Sequence, residues 1–278
     1  MKKLFLLLGA MMTFFGAQTA NAQSTFVDLG LPSGTLWATC NVGADSPEDW
    51  GDYFAWGETS SKISNRYTWS QYKYCWGSQN TMTKYCTESS YGYDGLRDNL
   101  TELLPEDDAA TVNWGEEWQM PSIAQFEELI NSNYTTIEDA KINNVPGKRI
   151  TSKSNGKSIF LPLPGWINGS SGSLESNERG HYWTRSLDTS TPKSAQYCFM
   201  VYGYPILSSG SHERFCGLAV RPVRVQDEHT IYNIPEGWKV NGTTPSGTYQ
   251  AKGGDVLYFT PKNIPSGKKI KSIKVVKK

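Results

Sequence analysis

Only two short segments of this 278-residue chain carry credible signals of a helix. In the first, Pro105 stands where a first helical turn begins. The acidic residues 106–108 would then lie near the positive end of the helix dipole. Two short helices cannot organise a chain of this length, so most of it must form strands and loops.

The second helical segment carries the clearer signal. Ser122 and Gln125 fit a capping box, in which Ser122 caps the helix and Gln125 reaches back to it. Apolar residues then recur on one face at positions 123, 126, 129 and 130. This pattern predicts a helix of about nine residues that ends near Asn131 or Asn133.

The rest of the pattern favours short strands and long loops. A hairpin is predicted over 26–40, with its turn at Pro32-Ser33-Gly34. Residues 41–95 are rich in aromatic residues, Gly and Ser and have no clean period, so we expect long loops packed by their own Trp and Tyr rings. Further strands are predicted at 158–163, 180–186, 195–202 and 214–223, the last two as a hairpin pair around a polar loop at 203–213.

The N-terminus has the pattern of an export signal. Lys2 and Lys3 precede an apolar run over 4–17, and Ala20-Asn21-Ala22 supplies the small residues that a signal peptidase reads. We therefore expect 1–22 to be a signal peptide cut before Gln23. The run is shorter than the roughly 20 residues that span a bilayer, and no later stretch is long and apolar enough. The mature chain is expected in the periplasm, on the outer cell surface or secreted, without a transmembrane segment.

Charge divides the exported chain into two parts. Residues 230–278 contain nine Lys against Glu236 and Asp255, whereas 23–229 are acidic overall. Such an asymmetry predicts a separate segment. We expect a linker at 226–229 and a small, Lys-rich β domain over 230–278, with strands at 237–240, 247–251, 255–260 and 269–276.

A series of motifs recurs in one order along the larger part of the chain. They are VDLGLPSGTLWA (27–38), NVGA (41–44), GDYFAWGE (51–58), TKY (83–85), DDAA (107–110), WG (114–115), WQMPS (118–122), IFLP (159–162), YW (182–183) and VRPV (220–223). In these residues, over about 26–225, the chain resembles the Fibrobacter succinogenes major paralogous domain family, common among exported bacterial proteins. One departure is Gln119, where the family usually has Arg.

The resemblance implies a fold for residues 23–225. It implies an α+β, C-type-lectin-like domain with two helices, a small antiparallel sheet and long irregular loops. The same broad fold is shared with sulfatase-modifying, formylglycine-generating enzymes. The family carries no settled activity. The fold class expected for the whole chain is therefore a lectin-like α+β domain followed by a small all-β domain.

Five cysteines lie in the exported part, at positions 40, 75, 86, 198 and 216. An oxidising compartment permits disulfides, and at most two can form within one chain. Cys198 and Cys216 stand on the two strands predicted to pair, and Cys75 and Cys86 bracket a loop, so both pairs are disulfide candidates. Cys40 is left as a buried thiol. The alternative is a thiol-dependent enzyme related to the formylglycine-generating oxidases, since spatial pairing with a His is invisible in sequence.

Other chemistry finds little support in the sequence. The histidines, at 181, 212 and 229, are scattered and lack zinc-ligand spacing. No acidic group has the spacing of a calcium loop, and the sugar-binding calcium signatures of lectins are missing from the sequence. There is no phosphate loop, no nucleophile elbow and no basic-aromatic stripe for nucleic acid. We predict no enzyme activity, no metal, no cofactor and no nucleic-acid partner.

Binding remains as the expected function. The chain has ten Trp and fifteen Tyr, which supply large contact areas with few rotors. The Trp residues within family motifs are assigned to the core: Trp37, Trp56, Trp114, Trp118 and Trp183. The loops that a lectin-like fold presents to ligands would contain Trp166, Asn168, Glu178, Arg179, His181, Tyr202, Tyr204, His212 and Glu213.

We therefore expect an exported module that recognises a glycan or a protein through those loops. A second reading is a structural component of the cell envelope, which the basic tail would anchor.

Overall fold

The protein is described by a computed structural model that covers residues 25–63, 66–169, 175–204 and 207–225. Beyond these it gives the backbone of four short strands, at 230–233, 238–240, 248–251 and 259–261. The expected signal peptide and the linker 226–229 lie outside the described residues. Two compact units make up the chain, with a boundary between Arg224 and Val225, and the turn residues Pro32–Thr35 group with the second unit.

Two α-helices are present in the described residues, and each begins at a side-chain cap. Helix α1 is Ala109–Trp114, and the carboxylate of Asp108 accepts hydrogen bonds from the N–H groups of Ala110 and Thr111. The predicted start at Pro105 is wrong by one turn, because Pro105–Asp107 forms a separate 3-10 turn and the chain becomes α-helical only after the Asp108 cap.

Helix α2 confirms the capping box. It is Ile123–Leu129, the Ser122 hydroxyl accepts from the Gln125 N–H, and the Gln125 side chain accepts from the Ser122 N–H. Phe126 and Leu129 are buried on its apolar face. The helix ends at Leu129 with Ile130 as its C-cap, slightly before the predicted end near Asn131 or Asn133.

In its described residues the larger unit also has three small sheets of three strands each, so it is α+β and mostly β. The sheet orders are β1-β2-β9, β3-β4-β5 and β6-β7-β8. The strands are β1 Phe26–Asp28, β2 Thr35–Ala38, β3 Thr135–Ile142, β4 Val145–Ser152, β5 Ser158–Pro162, β6 Arg179–Leu187, β7 Ser194–Val201, β8 Leu207–Glu213 and β9 Val223–Val225. The β1–β2 hairpin and strands β5, β6 and β7 confirm the sequence predictions.

The hairpin β3–β4 was not predicted. It is closed by Asn143 and Asn144, which both adopt positive φ angles, 48° and 67°. Consecutive residues with positive φ form the tight turns that join antiparallel strands, and Asn tolerates this conformation. Most residues of β3 are exposed or half-buried, so the strand lacks the apolar alternation on which the prediction relied.

The predicted pairing of 195–202 with 214–223 is wrong. Strand β7 pairs instead with β8, which is drawn from the polar segment predicted to be a loop. The apolar segment 214–223 is buried between other elements and makes single bridges, such as Leu218 to Phe54 and Gly217 to Ile167. It is apolar because it is enclosed on all sides, while β8 is a polar edge strand.

The core contains two clusters of buried side chains, one beneath the long loops and one beneath α2. Four of the five Trp residues assigned to the core are buried, and Trp114 is partly buried against it. The described parts of 41–95 contain loops and two 3-10 turns, and their buried rings include Trp56, Tyr67 and Tyr85. The prediction of ring-packed loops is therefore confirmed.

Two buried charged side chains hold these loops together. The Arg214 guanidinium donates to the Tyr72 hydroxyl and to the carbonyls of Lys84, Tyr85 and Pro192, at 2.8–3.1 Å. It also lies 4.9 Å from the centre of the Trp56 ring. The chain thus crosslinks several distant loop carbonyls through a single planar cation.

The second buried charged side chain is Asp107, whose carboxylate accepts hydrogen bonds from several side chains of these loops. Its side chain accepts hydrogen bonds from the hydroxyls of Tyr74 and Tyr85 and from the Lys84 ammonium, which is 2.6 Å away. Burial raises the pKa of Asp107, but these donors lower it more, and the net shift is downward. The carboxylate is therefore ionised and multiply bonded inside the protein.

The second unit contains two antiparallel strand pairs in its described part. Strand β10, Thr230–Asn233, pairs with β12, Thr248–Ala251, and β11, Trp238–Val240, pairs with β13, Phe259–Pro261. The predicted strands at 237–240 and 247–251 are confirmed, whereas β10 was not predicted. The predicted strand at 269–276 lies outside the described residues. In the described part of the chain, no helix is long and apolar enough to cross a membrane.

Candidate functional site

A group of aromatic rings gathers on one face of the β6-β7-β8 sheet. We call it the ring cluster, and it consists of Trp166, His181, Tyr197, Phe199 and His212. In the sheet register His181 is opposite Phe199, and His212 is opposite Ala195. Residues opposite one another or two apart along a strand share a face, so the strands place these rings together.

Trp166 joins the cluster from outside the sheet. Its neighbours in the chain are fixed by bridges, Gly165 to Gly180 and Ile167 to Gly217. The Trp166 ring lies 4.5 Å from that of His212 and 6.3 Å from that of His181, measured between centroids. The ring cluster is thus assembled from a bridged loop and three strands rather than from one mobile loop.

Tyr197 lies at the centre of the cluster. Its ring is stacked on His181 with centroids 5.3 Å apart, and it also contacts Phe199 and His212. A side chain at Gly210, the β8 residue opposite Tyr197, would place its Cβ 2.9 Å from the Tyr197 ring. The missing side chain at Gly210 lets the Tyr197 ring lie over β8.

Both imidazoles in the cluster are neutral at neutral pH. Burial lowers the pKa of His181 to about 3, and the nearby His212 imidazole and Arg179 guanidinium act in the same direction. Burial lowers the pKa of His212 to about 4, against a backbone hydrogen bond at Glu213 that raises it. The 3.3 Å contact between His181 Nε2 and Glu175 is therefore a hydrogen bond from a neutral ring, not an ion pair.

Two nitrogen atoms of the ring cluster lack a partner among the described residues. They are the Nδ1 atoms of His181 and His212, and both are buried. Buried polar atoms are nearly always bonded in folded proteins, and leaving one unpaired costs about 1–3 kcal/mol. The Nε1 atoms of Trp37 and Trp114 are likewise buried without a partner among the described residues, so this feature is not confined to the ring cluster.

Charged side chains border the rings. Glu175 bonds to His181 and also pairs with Arg179 at 3.2 Å. At the end of β8, Lys193 lies 3.8 Å from Glu213. Burial and the nearby Glu175 carboxylate raise the pKa of Tyr197, so its hydroxyl stays protonated and can donate a hydrogen bond. The border mixes both signs of charge.

The structure brings together only part of the predicted ligand set. Trp166, His181 and His212 meet in the ring cluster, and Arg179 lies at its border, whereas Glu213 pairs with Lys193 at the end of β8. Glu178 is exposed, and its carbonyl accepts from the Tyr202 N–H at 2.9 Å. Asn168 is half-buried between two bridged residues.

Tyr202 and Tyr204 contact the β3–β4 hairpin. The Tyr202 ring lies 6.0 Å from the Lys141 ammonium. The Tyr204 carbonyl accepts from Lys148, which is buried and paired with Asp139 at 2.6 Å. These two Tyr residues therefore belong to a different neighbourhood from the one predicted.

Three members of the site were missed in the sequence. Tyr197 and Phe199 alternate with the buried Cys198 and Met200 along β7. This period of two is the signal that could have found them, because it predicts that Tyr197 and Phe199 share the face opposite to that of Cys198 and Met200. Glu175 had no such signal, because its contact to His181 depends on how the loop returns before β6.

Neither predicted disulfide is present, and all five cysteines are free thiols. Cys198 and Cys216 belong to different core clusters, because Cys216 does not lie on the partner strand of β7. The Cys75 and Cys86 thiols donate to different carbonyls, those of Trp69 and Glu88. Burial raises the pKa of Cys198 to about 12 and raises the pKa of Cys75, Cys86 and Cys216, so these thiols are protonated at neutral pH.

Within the described ranges, no three His, Cys, Asp or Glu side chains are grouped closely enough to hold a metal ion. Gln119, the departure from the family pattern, accepts a hydrogen bond from Arg185 at 2.6 Å.

Comparison of the chain with protein-family models, with curated proteins and with solved structures finds no match.

Proposed function

We propose that the protein is an exported binding module that recognises a glycan or a protein through the ring cluster. The single observation that carries this proposal is the set of half-buried rings, in which Trp166 from a bridged loop joins Tyr197, Phe199 and His212 on a three-stranded sheet. Rigid aromatic side chains give contact area at a low entropic cost, and Trp and Tyr are enriched among residues that dominate binding energy.

The electrostatics support a ligand that is largely uncharged at its centre. Both imidazoles are neutral, and the opposite charges of Glu175 and Arg179 pair with each other at the border. Such a surface suits a ligand with an apolar face and hydrogen-bonding edges.

The remaining parts of the proposal rest on the sequence. They are the export signal at 1–22, the lectin-like character of the fold and the resemblance to the major paralogous domain family. The thiol-dependent alternative receives less support, because four of the five thiols have raised pKa values and nucleophilic cysteines need lowered ones.

A binding screen with matched variants tests the proposal. Purified 23–278 is applied to a glycan array and used to capture proteins from the envelope of its host. A double variant, Trp166→Ala with Tyr197→Ala, should weaken the strongest interaction about tenfold or more. Tyr134→Ala, at an exposed ring outside the cluster, is the control and should bind like the wild type. An interaction that survives the double variant unchanged, with both proteins folded by circular dichroism, contradicts the proposal.

A further inference from the structure

A second aromatic surface lies in the long loops, away from the residues of the ring cluster in the chain. Trp76 is 70% exposed and Tyr93 is 53% exposed, although rings of this size are usually buried. The two rings are neighbours, with centroids 5.9 Å apart and planes tilted by 49°. We call them the Trp76–Tyr93 pair.

The backbone beneath the pair is fixed on both sides of one buried residue. Met82 is fully buried and bridges to Cys75 on one side and to Gly92 on the other. The Trp76 N–H donates to the Thr81 carbonyl at 3.0 Å, and the Tyr93 N–H donates to the Met82 carbonyl at 2.8 Å. The two rings therefore project from adjacent, bridged segments.

The turn that carries Tyr93 is tightly closed. A Cβ at Gly92 would lie 2.0 Å from the Leu96 carbonyl oxygen, so only glycine permits the chain to return this closely. Just beyond, the Asp98 carboxylate accepts from the N–H groups of Tyr85 and Cys86 at 2.7 and 2.8 Å. A ring held in place before binding loses little entropy when a ligand arrives, so this construction favours recognition.

We propose that the Trp76–Tyr93 pair is a stacking platform for a neutral saccharide. The proposal goes beyond the proposed function, because it adds a second binding site, separate from the ring cluster, and names the ligand class of that site. One face of a sugar ring presents C–H groups, which are attracted to the negative π face of an aromatic ring. Two tilted faces can contact two consecutive sugar units, which are themselves rotated against each other.

The surroundings of the pair suit sugar hydroxyls better than a protein surface. Ser78, Asn80, Asp94 and Arg97 are exposed in the same two turns. They provide donors and acceptors whose formal charges cancel, which favours a neutral ligand over an anionic one. A stable protein interface buries about 800 Å² per partner around an apolar centre, and two rings bordered by polar residues supply little of that.

Affinity electrophoresis tests the platform. The wild-type 23–278 chain is run in native gels that contain a soluble neutral glucan, mannan or xylan, and binding slows its migration. At least one of these polysaccharides should retard the wild type, and Trp76→Ala and Tyr93→Ala should each weaken that binding about tenfold. Trp76→Phe keeps a π face and should stay within about threefold of the wild type. Tyr134→Ala, an exposed ring that is not part of the pair, should show wild-type retardation.

The other outcomes overturn the platform. It fails if Trp76→Ala and Tyr93→Ala bind like the wild type, or if none of the three polysaccharides retards the wild type. It also fails if Trp76→Ala loses a captured protein instead of a saccharide. Binding that depends on Trp166 and Tyr197 but not on Trp76 overturns the platform and leaves the proposed function standing, so the two failures are distinguishable.

Discussion

The imidazole of His181 lies parallel to the phenol ring of Tyr197, with their centroids 5.3 Å apart and their planes inclined by only 7°. The two residues come from adjacent strands of one sheet, and His181 is almost fully buried. A neutral imidazole stacks on an aromatic ring without the desolvation cost of a charge. The stability of the ring cluster is therefore linked to the protonation of its histidines.

We expect the protein to lose stability as the pH falls below about 6.5, the pKa of a histidine in an unfolded chain. The folded-state pKa values of His181 and His212 are lowered to about 3 and about 4, so the unfolded chain binds protons first. The stabilisation is fully present above pH 6.5 and declines toward pH 4. Each histidine contributes at most about 1.4 kcal/mol per pH unit.

Urea denaturation at pH 7, 6 and 5 measures this effect. His181→Gln should reduce the dependence of the unfolding free energy on pH, because one of the two titrating rings is gone. Comparing the variant with the wild type cancels the contribution of carboxylates such as Asp108, whose pKa is raised by burial. Equal pH dependence in the two proteins would show that His181 does not titrate as expected.

Asp107→Asn should destabilise the protein by about 2–4 kcal/mol, because it removes the close ion pair between the buried carboxylate and the half-buried Lys84 and weakens the bonds from Tyr74 and Tyr85. Chemical denaturation at pH 7 gives the value. Glu106→Gln is the matched control, since its side chain is 64% exposed and lies 3.6 Å from the same Lys84 ammonium. It should change stability by less than about 0.5 kcal/mol. Similar effects at the two positions would contradict the central role of Asp107.

Arg214→Lys should lower the free energy of unfolding by about 3 kcal/mol or more. A lysine keeps the charge but cannot reproduce the planar fork that bonds to Tyr72 and to three loop carbonyls. Thermal unfolding followed by circular dichroism would report the loss. Arg97→Lys, at an exposed position, should stay within about 0.5 kcal/mol of the wild type. A mild effect of Arg214→Lys would mean that its charge, rather than its shape, organises the loops.

Denatured but unreduced protein should show five titratable thiols, because all five cysteines are free. In the native state the reaction should be slow, since four of the thiols are buried and Cys75 is partly buried. Ellman titration with and without denaturant, together with intact mass measurement before and after reduction, checks this. A mass increase of about 2 Da on reduction would reveal one disulfide and contradict the prediction.

Short-range signals in the sequence predicted their structures well. Ser122 and Gln125 lie three residues apart, and the bonds between them are decided within a single helical turn. The hairpin turn at 32–34 could likewise be predicted from the sequence, because its geometry depends on Pro and Gly rather than on distant residues. The burial of Trp37, Trp56 and Trp183 also agreed with their positions in aromatic motifs.

The pairing of distant strands could not be predicted from the sequence. Strand β8 carries Ser, Gly and His because it is an edge strand, so it resembled a loop, while the enclosed segment 214–223 resembled a strand. Because β7 pairs with β8 and not with 214–223, Cys198 and Cys216 do not lie on paired strands, and the predicted disulfide between them is not formed. The wrong pairing also hid the meeting of His212 with Trp166, which depends on β8 standing beside β7.

The sequence alone determined the two helices, the first hairpin, the ring-packed character of the long loops and the uneven distribution of charge. These depend on neighbours a few residues apart or on composition, where each residue constrains its own surroundings. The tertiary structure alone decided which strands pair, which rings meet at His181 and Tyr197, and that Trp76 and Tyr93 face solvent together. Contacts between distant segments depend on which segments of the whole chain are buried against one another. A local sequence pattern does not contain that information.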